Sequence, residues 1–226
     1  MKINYGNFFC ANCFQSLFFI YICAMDERKI EILHKAAQVY MRYGIRSVTM
    51  DDLARELGIS KKTIYIYFKD KDEIIKEIIN LKIEADKLNC EISRQDSTNA
   101  IDEMFEISQF IVETIKNINP SVFYDLQKYH PKAWELLENH KWSFVYSQIL
   151  NNIQRGIAEG LYRDNMNPEL IARMHLAKTN MVFSGELFPI DQYDIEDVFI
   201  ELFRFQIRGM ANEEGLKYLI KRLTKE

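Results

Sequence analysis

The stretch GIRSVTMDDLARELGISKKTIYIYFKDKDE, residues 44–73, decides how the rest of the chain is read. Thr49, with Asp52 three residues on, reads as a capped helix start. Met50, Leu53, Ala54 and Leu57 then fall on one face of a short helix. Gly58 supplies the conformation that a sharp corner requires. Ser60 caps a second helix, Lys61 to Phe68, whose Ile64 and Phe68 point inward. Helix, corner Leu57-Gly58-Ile59-Ser60 and helix at this spacing form a helix-turn-helix, a device that lays its second helix across base-pair edges in the major groove.

The side chains of the second helix suit that task. Base reading needs groups that reach base edges, and affinity needs phosphate contacts on both sides. Lys61 and Lys62 open the helix. Thr63 matches a phosphate or a thymine methyl. Ile66 is apolar and outward by period, so a thymine methyl is its natural partner. Tyr65 and Tyr67 carry hydroxyls suited to phosphate oxygens. Lys71 opens the next helix, where ammonium and helix dipole both attract a phosphate, and Thr49 stands ready to do the same on the other flank. A bundle with a solvated basic face would explain the charges, but not two tyrosines at i, i+2 beside a Ser cap and a Gly corner.

These residues resemble the N-terminal signature of the TetR family of one-component transcriptional regulators. Gly44, Thr49, Leu53-Ala54, Leu57-Gly58-Ile59-Ser60, Thr63-Ile64-Tyr65, Tyr67-Phe68 and Lys71-Asp72-Glu73 carry the resemblance, which covers residues 26–73. It implies a homodimer whose two recognition helices enter successive major grooves of a palindromic double-stranded operator. It also implies base and phosphate contacts at Thr49, Ser60, Lys61, Lys62, Thr63, Tyr65, Ile66, Tyr67 and Lys71. Lys62 departs from the pattern, since the family often has Gly there. A lysine at this place adds a direct contact to guanine, so the operator is expected to differ from those of close relatives.

Outward from the motif, the pattern is helical throughout. Asp26 to Tyr43 carries an apolar stripe (Ile30, Leu33, Ala37, Tyr40, Met41) that Gly44 ends. Asp70 or Asp72 opens a long helix to about Arg94, and Ser93–Asn99 reads as a loop. Further helices are expected over 100–117, 121–129, 132–159, 168–188, 195–210 and 213–224, with no strand pattern. With only 8 Gly and 4 Pro in 226 residues, long stretches lack any breaker. The fold class is therefore all-α, with about nine to ten helices: a three-helix DNA-binding head at 25–73 and a helical effector-binding and dimerisation domain at 74–226.

Charge agrees with DNA held by one end. The formal net charge is −4, yet Arg42 to Lys71 holds seven cations (Arg42, Arg46, Arg55, Lys61, Lys62, Lys69, Lys71) against four anions (Asp51, Asp52, Glu56, Asp70).

Residues 1–24 differ in character from the remainder of the chain. Lys2 and the apolar FFCANCFQSLFFIYICA have the outline of a signal peptide or of a membrane-associating segment. The preferred reading is that Met25 is the natural start and that residues 1–24 are a start-site artefact. The alternative function this leaves is a TetR-like interaction protein without sequence-specific DNA binding, membrane-associated through residues 1–24. Cys10 and Cys13 form a C-x-x-C with no second pair to complete a zinc site, so reduced thiols in a cytoplasmic protein, no metal and no cofactor are expected. No stable membrane partner is expected either.

The C-terminal half says less. Residues 195–209 are apolar almost all round and, with 168–187, suit a four-helix interface between copies. In the resembled family this half binds a small molecule and makes the dimer. A hydrophobic or aromatic effector is expected, with Phe105, Phe123, Tyr124, Trp134, Trp142, Tyr146, His175 and Phe183 as candidate lining residues and His130 as a further polar anchor. Enzyme signatures are missing. Glu31-x-x-His34 has the spacing of a di-iron ligand pair but no second such pair, and no G-x-S-x-G or H-E-x-x-H occurs.

Overall fold

The computed structural model describes residues 26–224 apart from 117, 120, 185, 186, 190 and 191, and at 183 and 184 the backbone alone. The segment 1–24, and every expectation attached to it, lies outside the described residues. Among those described, all regular elements are helices, and the one extended pairing is an isolated bridge between Tyr162 and Ala211.

The chain runs α1 (Glu27–Tyr43), α2 (Met50–Leu57), α3 (Lys61–Tyr67), α4 (Lys71–Asp96), α5 (Ala100–Ile115), α6 (Ser121–Tyr129), α7 (Pro131–His140), a π-helical turn (Lys141–Val145), α8 (Tyr146–Ala158), α9 (Pro168–Ser184), α10 (Ile195–Met210) and α11 (Glu213–Leu223). The described residues group into two compact units, one from 26–88 with 118–140 and the other from 89–116 with 141–224.

In the first unit, local chemistry sets the helix ends. The Asp26 carboxylate accepts from the N–H groups of Arg28 and Lys29 to start α1, and Gly44 at φ 82° ends it with its N–H on the Tyr40 carbonyl. Leu33, Ala36, Leu53, Ile64 and Ile74 are fully buried, from α1, α2, α3 and α4 in turn. Each large apolar side chain so buried contributes about 1.5–3 kcal/mol, so the three short helices and the start of α4 share one core. Leu126 and Ala133 belong to that same core, with Trp134, Leu136 and Leu137 packed against it. The segment 121–140, far along the chain, thus completes the core of the DNA-binding head.

The second unit is built on Ile101, Met104, Ile153, Tyr162, Ala172, Leu176, Phe199, Phe203 and Ile207. Its buried acids are paired, as burial requires. Glu103 receives the Asn152 amide at 3.0 Å and the Arg155 guanidinium at 3.1 Å. Asp102 receives the Tyr218 hydroxyl at 2.6 Å and pairs with Arg222 at 3.0 Å. A Cβ at Gly156 would collide with the Tyr162 ring, so glycine there is a packing requirement.

Two expectations change. The single helix expected over 132–159 is α7 and α8 separated by the π-helical turn. Ala133 and His140 are buried before the turn, and Ile149, Asn152, Ile153 and Gly156 after it. The two buried stripes therefore fall on different faces of the helical run, which the π turn, with its one extra residue, interrupts. Second, α10 is not covered all round within one chain: Phe199, Phe203 and Ile207 are buried while Phe205 is 68% exposed.

Candidate nucleic-acid interface

The geometry around the corner is set by reciprocal caps. The Thr49 hydroxyl accepts from the Asp52 N–H at 3.1 Å while the Asp52 carboxylate accepts from the Thr49 N–H at 3.1 Å and its hydroxyl at 2.6 Å. Those bonds, the Thr49 hydroxyl's first, hold the Asp52 carboxyl below its usual range. Gly58 closes α2 at φ 67° with its N–H on the Ala54 and Arg55 carbonyls. Ser60 Oγ accepts from the Thr63 N–H at 3.0 Å and shares a 2.7 Å bond with the Thr63 hydroxyl.

With Ile64 buried inside, α3 turns a continuous face outward. Lys61, Lys62, Tyr65 and Ile66 are exposed, Ile66 at 71% and Tyr65 at 46%. Tyr67 and Thr63 are half-buried, and Tyr67 packs on the core.

The cations on this face are not equivalent. Lys61 Nζ lies 2.8 Å from Asp51 Oδ2, a pair that bridges α2 and α3, and that bond raises the Lys61 pKa. Among the described residues Lys62 has no such partner. Lys71 departs further from expectation. Its ammonium donates to the carbonyls of Ile45 and Val48 at 2.5 and 2.6 Å and lies 5.6 Å from the Tyr40 ring centre. Desolvation lowers its pKa. It ties the start of α4 to the loop 45–48 by giving two of that loop's carbonyls a donor. The first turn of α4 is already served by Asp70, which accepts from the Glu73 N–H at 2.8 Å.

Sequence reasoning missed three residues that hold this head together. Asp125 on α6 accepts from the Arg46 N–H, Tyr129 on α6 carries the Arg46 guanidinium on its ring and hydroxyl, and Asp51 holds Lys61. All three partners are remote in sequence or across the corner, and no local periodicity marks them. His130, expected as an effector anchor, hydrogen-bonds Asp72 at the start of α4.

The aromatic candidates for effector contact are spread over both units. Phe123, Tyr124 and Trp134 fall in the first unit, and Phe105, Trp142, Tyr146, His175 and the backbone of Phe183 in the second. Tyr124 and Trp142 are exposed, and Trp134 packs on the head's core. The Phe183 side chain lies outside the described residues. His175 is wholly buried against Phe203, its Nδ1 without a hydrogen-bond partner, and burial pushes its pKa down to about 4. Glu31, the other half of the di-iron spacing, is engaged by Lys35 and Arg28.

A helix-turn-helix with an outward polar face, carried on an all-helical chain, defines a DNA-binding transcriptional regulator. Residues 32–78 match the family described as bacterial regulatory proteins, tetR family. The chain is 26% identical over 194 residues to the uncharacterized HTH-type transcriptional regulator YvaF of Bacillus subtilis, covering 84% of this chain and 97% of that protein. It is 21% identical over 203 residues to the HTH-type transcriptional repressor KstR2 of Mycolicibacterium smegmatis, covering 84% of this chain and 94% of that one. A solved transcriptional regulator from Saccharomonospora viridis, in complex with choline, superposes with a TM-score of 0.70 at 19% identity, over 84% of this chain and all of that one. Residues 32–78 thus carry the DNA-binding head of the tetR family, and along the greater part of its length the chain is similar to HTH-type transcriptional regulators.

Proposed function

We propose that this chain is a ligand-responsive repressor that binds a palindromic operator as a homodimer in the cytoplasm and is released by a small hydrophobic or aromatic effector. The observation that carries the reading is the outward face of α3. An isoleucine 71% exposed beside an exposed tyrosine and the exposed Lys62 has no work inside the fold. It matches a surface built to meet bases and phosphates. Thr49, Ser60, Thr63 and Tyr67 flank that face, with Lys71 acting on the loop beneath it.

Dimerisation is supported by apolar groups on α9 and α10. Leu170 and Met174 are exposed one turn apart, and Lys178, a turn further, lies 5.0 Å from the centre of the exposed Phe205 ring. A self-complementary patch of this kind is what a two-fold interface uses. The effector acts by displacing α4, which is covalently continuous with the recognition helix, and so changes the spacing of the paired α3 helices. It shifts operator affinity only by its affinity difference between the two states. The relative bound to choline and the aromatic side chains of the C-terminal half are compatible with an effector held against rings.

Fluorescence anisotropy of the purified protein with duplex from its own upstream region tests this. The expected result is salt-dependent binding with one dimer per half-site pair, well above binding to scrambled duplex. Equal affinity for both duplexes refutes sequence reading.

A further inference from the structure

We propose that Lys62, not Lys61, is the cation that reads a base, and that the operator half-site therefore carries a guanine opposite Lys62 with a thymine about one to two base pairs away opposite Ile66. The inference rests on α3 being the groove helix and adds what that helix selects.

Asp51 makes the distinction. It stands in the first turn of α2 and reaches across the corner to Lys61, 2.8 Å away. An ammonium already facing a carboxylate brings no net charge to DNA, and its Asp51 partner would meet the phosphates as a like charge. Lys61 is thereby turned toward α2. Lys62, the next residue, is exposed and, among the described residues, has neither a hydrogen bond nor an ion pair. Its ammonium is the one free to approach guanine O6 and N7, the acceptor pair that lysine favours in the major groove.

Ile66 stands four residues on, on the same face as Lys62. Four helical residues advance about 6 Å, and the major groove is inclined to a stack of base pairs about 3.4 Å apart, so the two side chains sample positions about one to two base pairs apart. The ammonium selects acceptors, and the apolar side chain selects the thymine methyl, the one apolar feature of the major-groove edge. Glycine at position 62 would leave only the backbone and the Asp51-paired lysine at this end of the helix, with no free cation to choose guanine.

Selection from a random duplex library, by the wild type and by Lys62→Ala, Lys62→Arg and Asp51→Asn, tests the assignment, followed by anisotropy on single-base variants of the enriched site at fixed salt. The wild type is expected to enrich a half-site with guanine and thymine at that separation. Lys62→Ala should lose the guanine preference, by about ten- to a hundredfold in affinity ratio, and keep the thymine. Lys62→Arg should retain it. Asp51→Asn should bind all duplexes more tightly, with a steeper salt dependence by about one phosphate, and keep the same site. Lys62 is exposed, so unchanged thermal melts are expected and loss of preference cannot be confused with loss of fold. Retention of the guanine in Lys62→Ala, or its loss in Asp51→Asn, overturns the proposal while leaving α3 as the groove helix. A wild type that enriches no site overturns both.

Discussion

The backbone N–H of Arg46 donates a 2.8 Å hydrogen bond to Oδ2 of Asp125, a residue 79 positions further along the chain. The Arg46 guanidinium continues the contact, lying 4.7 Å from the centre of the Tyr129 ring and donating to its hydroxyl at 2.7 Å. Helix α6 therefore grips the loop that delivers Thr49 to the start of α2. Asp125→Ala leaves a partly buried N–H unpaired, a loss of about 1–3 kcal/mol. The expected outcome is a lower urea midpoint, with weakened operator binding because the loop before α2 is released. Asp125→Asn should lose less. Unchanged midpoints in both variants would show that the contact carries no stability.

Ile66 separates folding from recognition. It is 71% exposed, so Ile66→Ala should alter stability by no more than about 0.5 kcal/mol. Operator affinity should fall several-fold while binding to unrelated duplex stays the same, since a methyl contact distinguishes sequences and a phosphate contact does not. Competition anisotropy with specific and scrambled duplexes reads the ratio directly.

Phe205 is the corresponding test of assembly. Its ring is 68% exposed on α10, beside Lys178 of α9. In an isologous interface each substitution is present twice. Phe205→Glu removes about 1.5–3 kcal/mol of apolar burial per ring and adds two facing carboxylates. Sedimentation velocity should show monomer at concentrations where the wild type is dimeric, with loss of operator binding and an intact helical spectrum. A dimer that persists places the interface elsewhere.

His175 gives the second unit an acid-sensitive core. Burial lowers its pKa from 6.5 to about 4. Between those values the unfolded chain binds a proton on this ring that the folded chain excludes. Its stabilising contribution is full above pH 6.5 and is lost as pH falls toward 4, by about 3 kcal/mol across the window. Urea titrations of wild type and His175→Leu at pH 7.5 and 5 should show a smaller pH dependence in the variant. An identical pH dependence would mean that the ring is not the group responsible.

The head was legible from sequence because its determinants are local. The Thr49–Asp52 capping box, the left-handed Gly58, the Ser60 cap and the inward period of Leu53, Leu57, Ile64 and Phe68 each depend on residues within about one helical turn, where hydrogen-bond spacing and the 3.6-residue repeat fix geometry directly. The face of α3 followed from the same period. The π turn at Lys141–Val145 did not, because a π turn leaves the composition helical while changing the hydrogen-bond spacing.

Sequence by itself determined that this is an all-helical chain with a helix-turn-helix whose Lys62, Tyr65 and Ile66 face outward. Only the tertiary structure decided which charges are free to act: Lys61 is held by Asp51, Lys71 is drawn in by the carbonyls of Ile45 and Val48, and Arg46 is engaged by α6. Residue type and period fix the direction in which a side chain leaves its own helix. The partner waiting there comes from another element, brought in by packing, and no pattern along one helix records it.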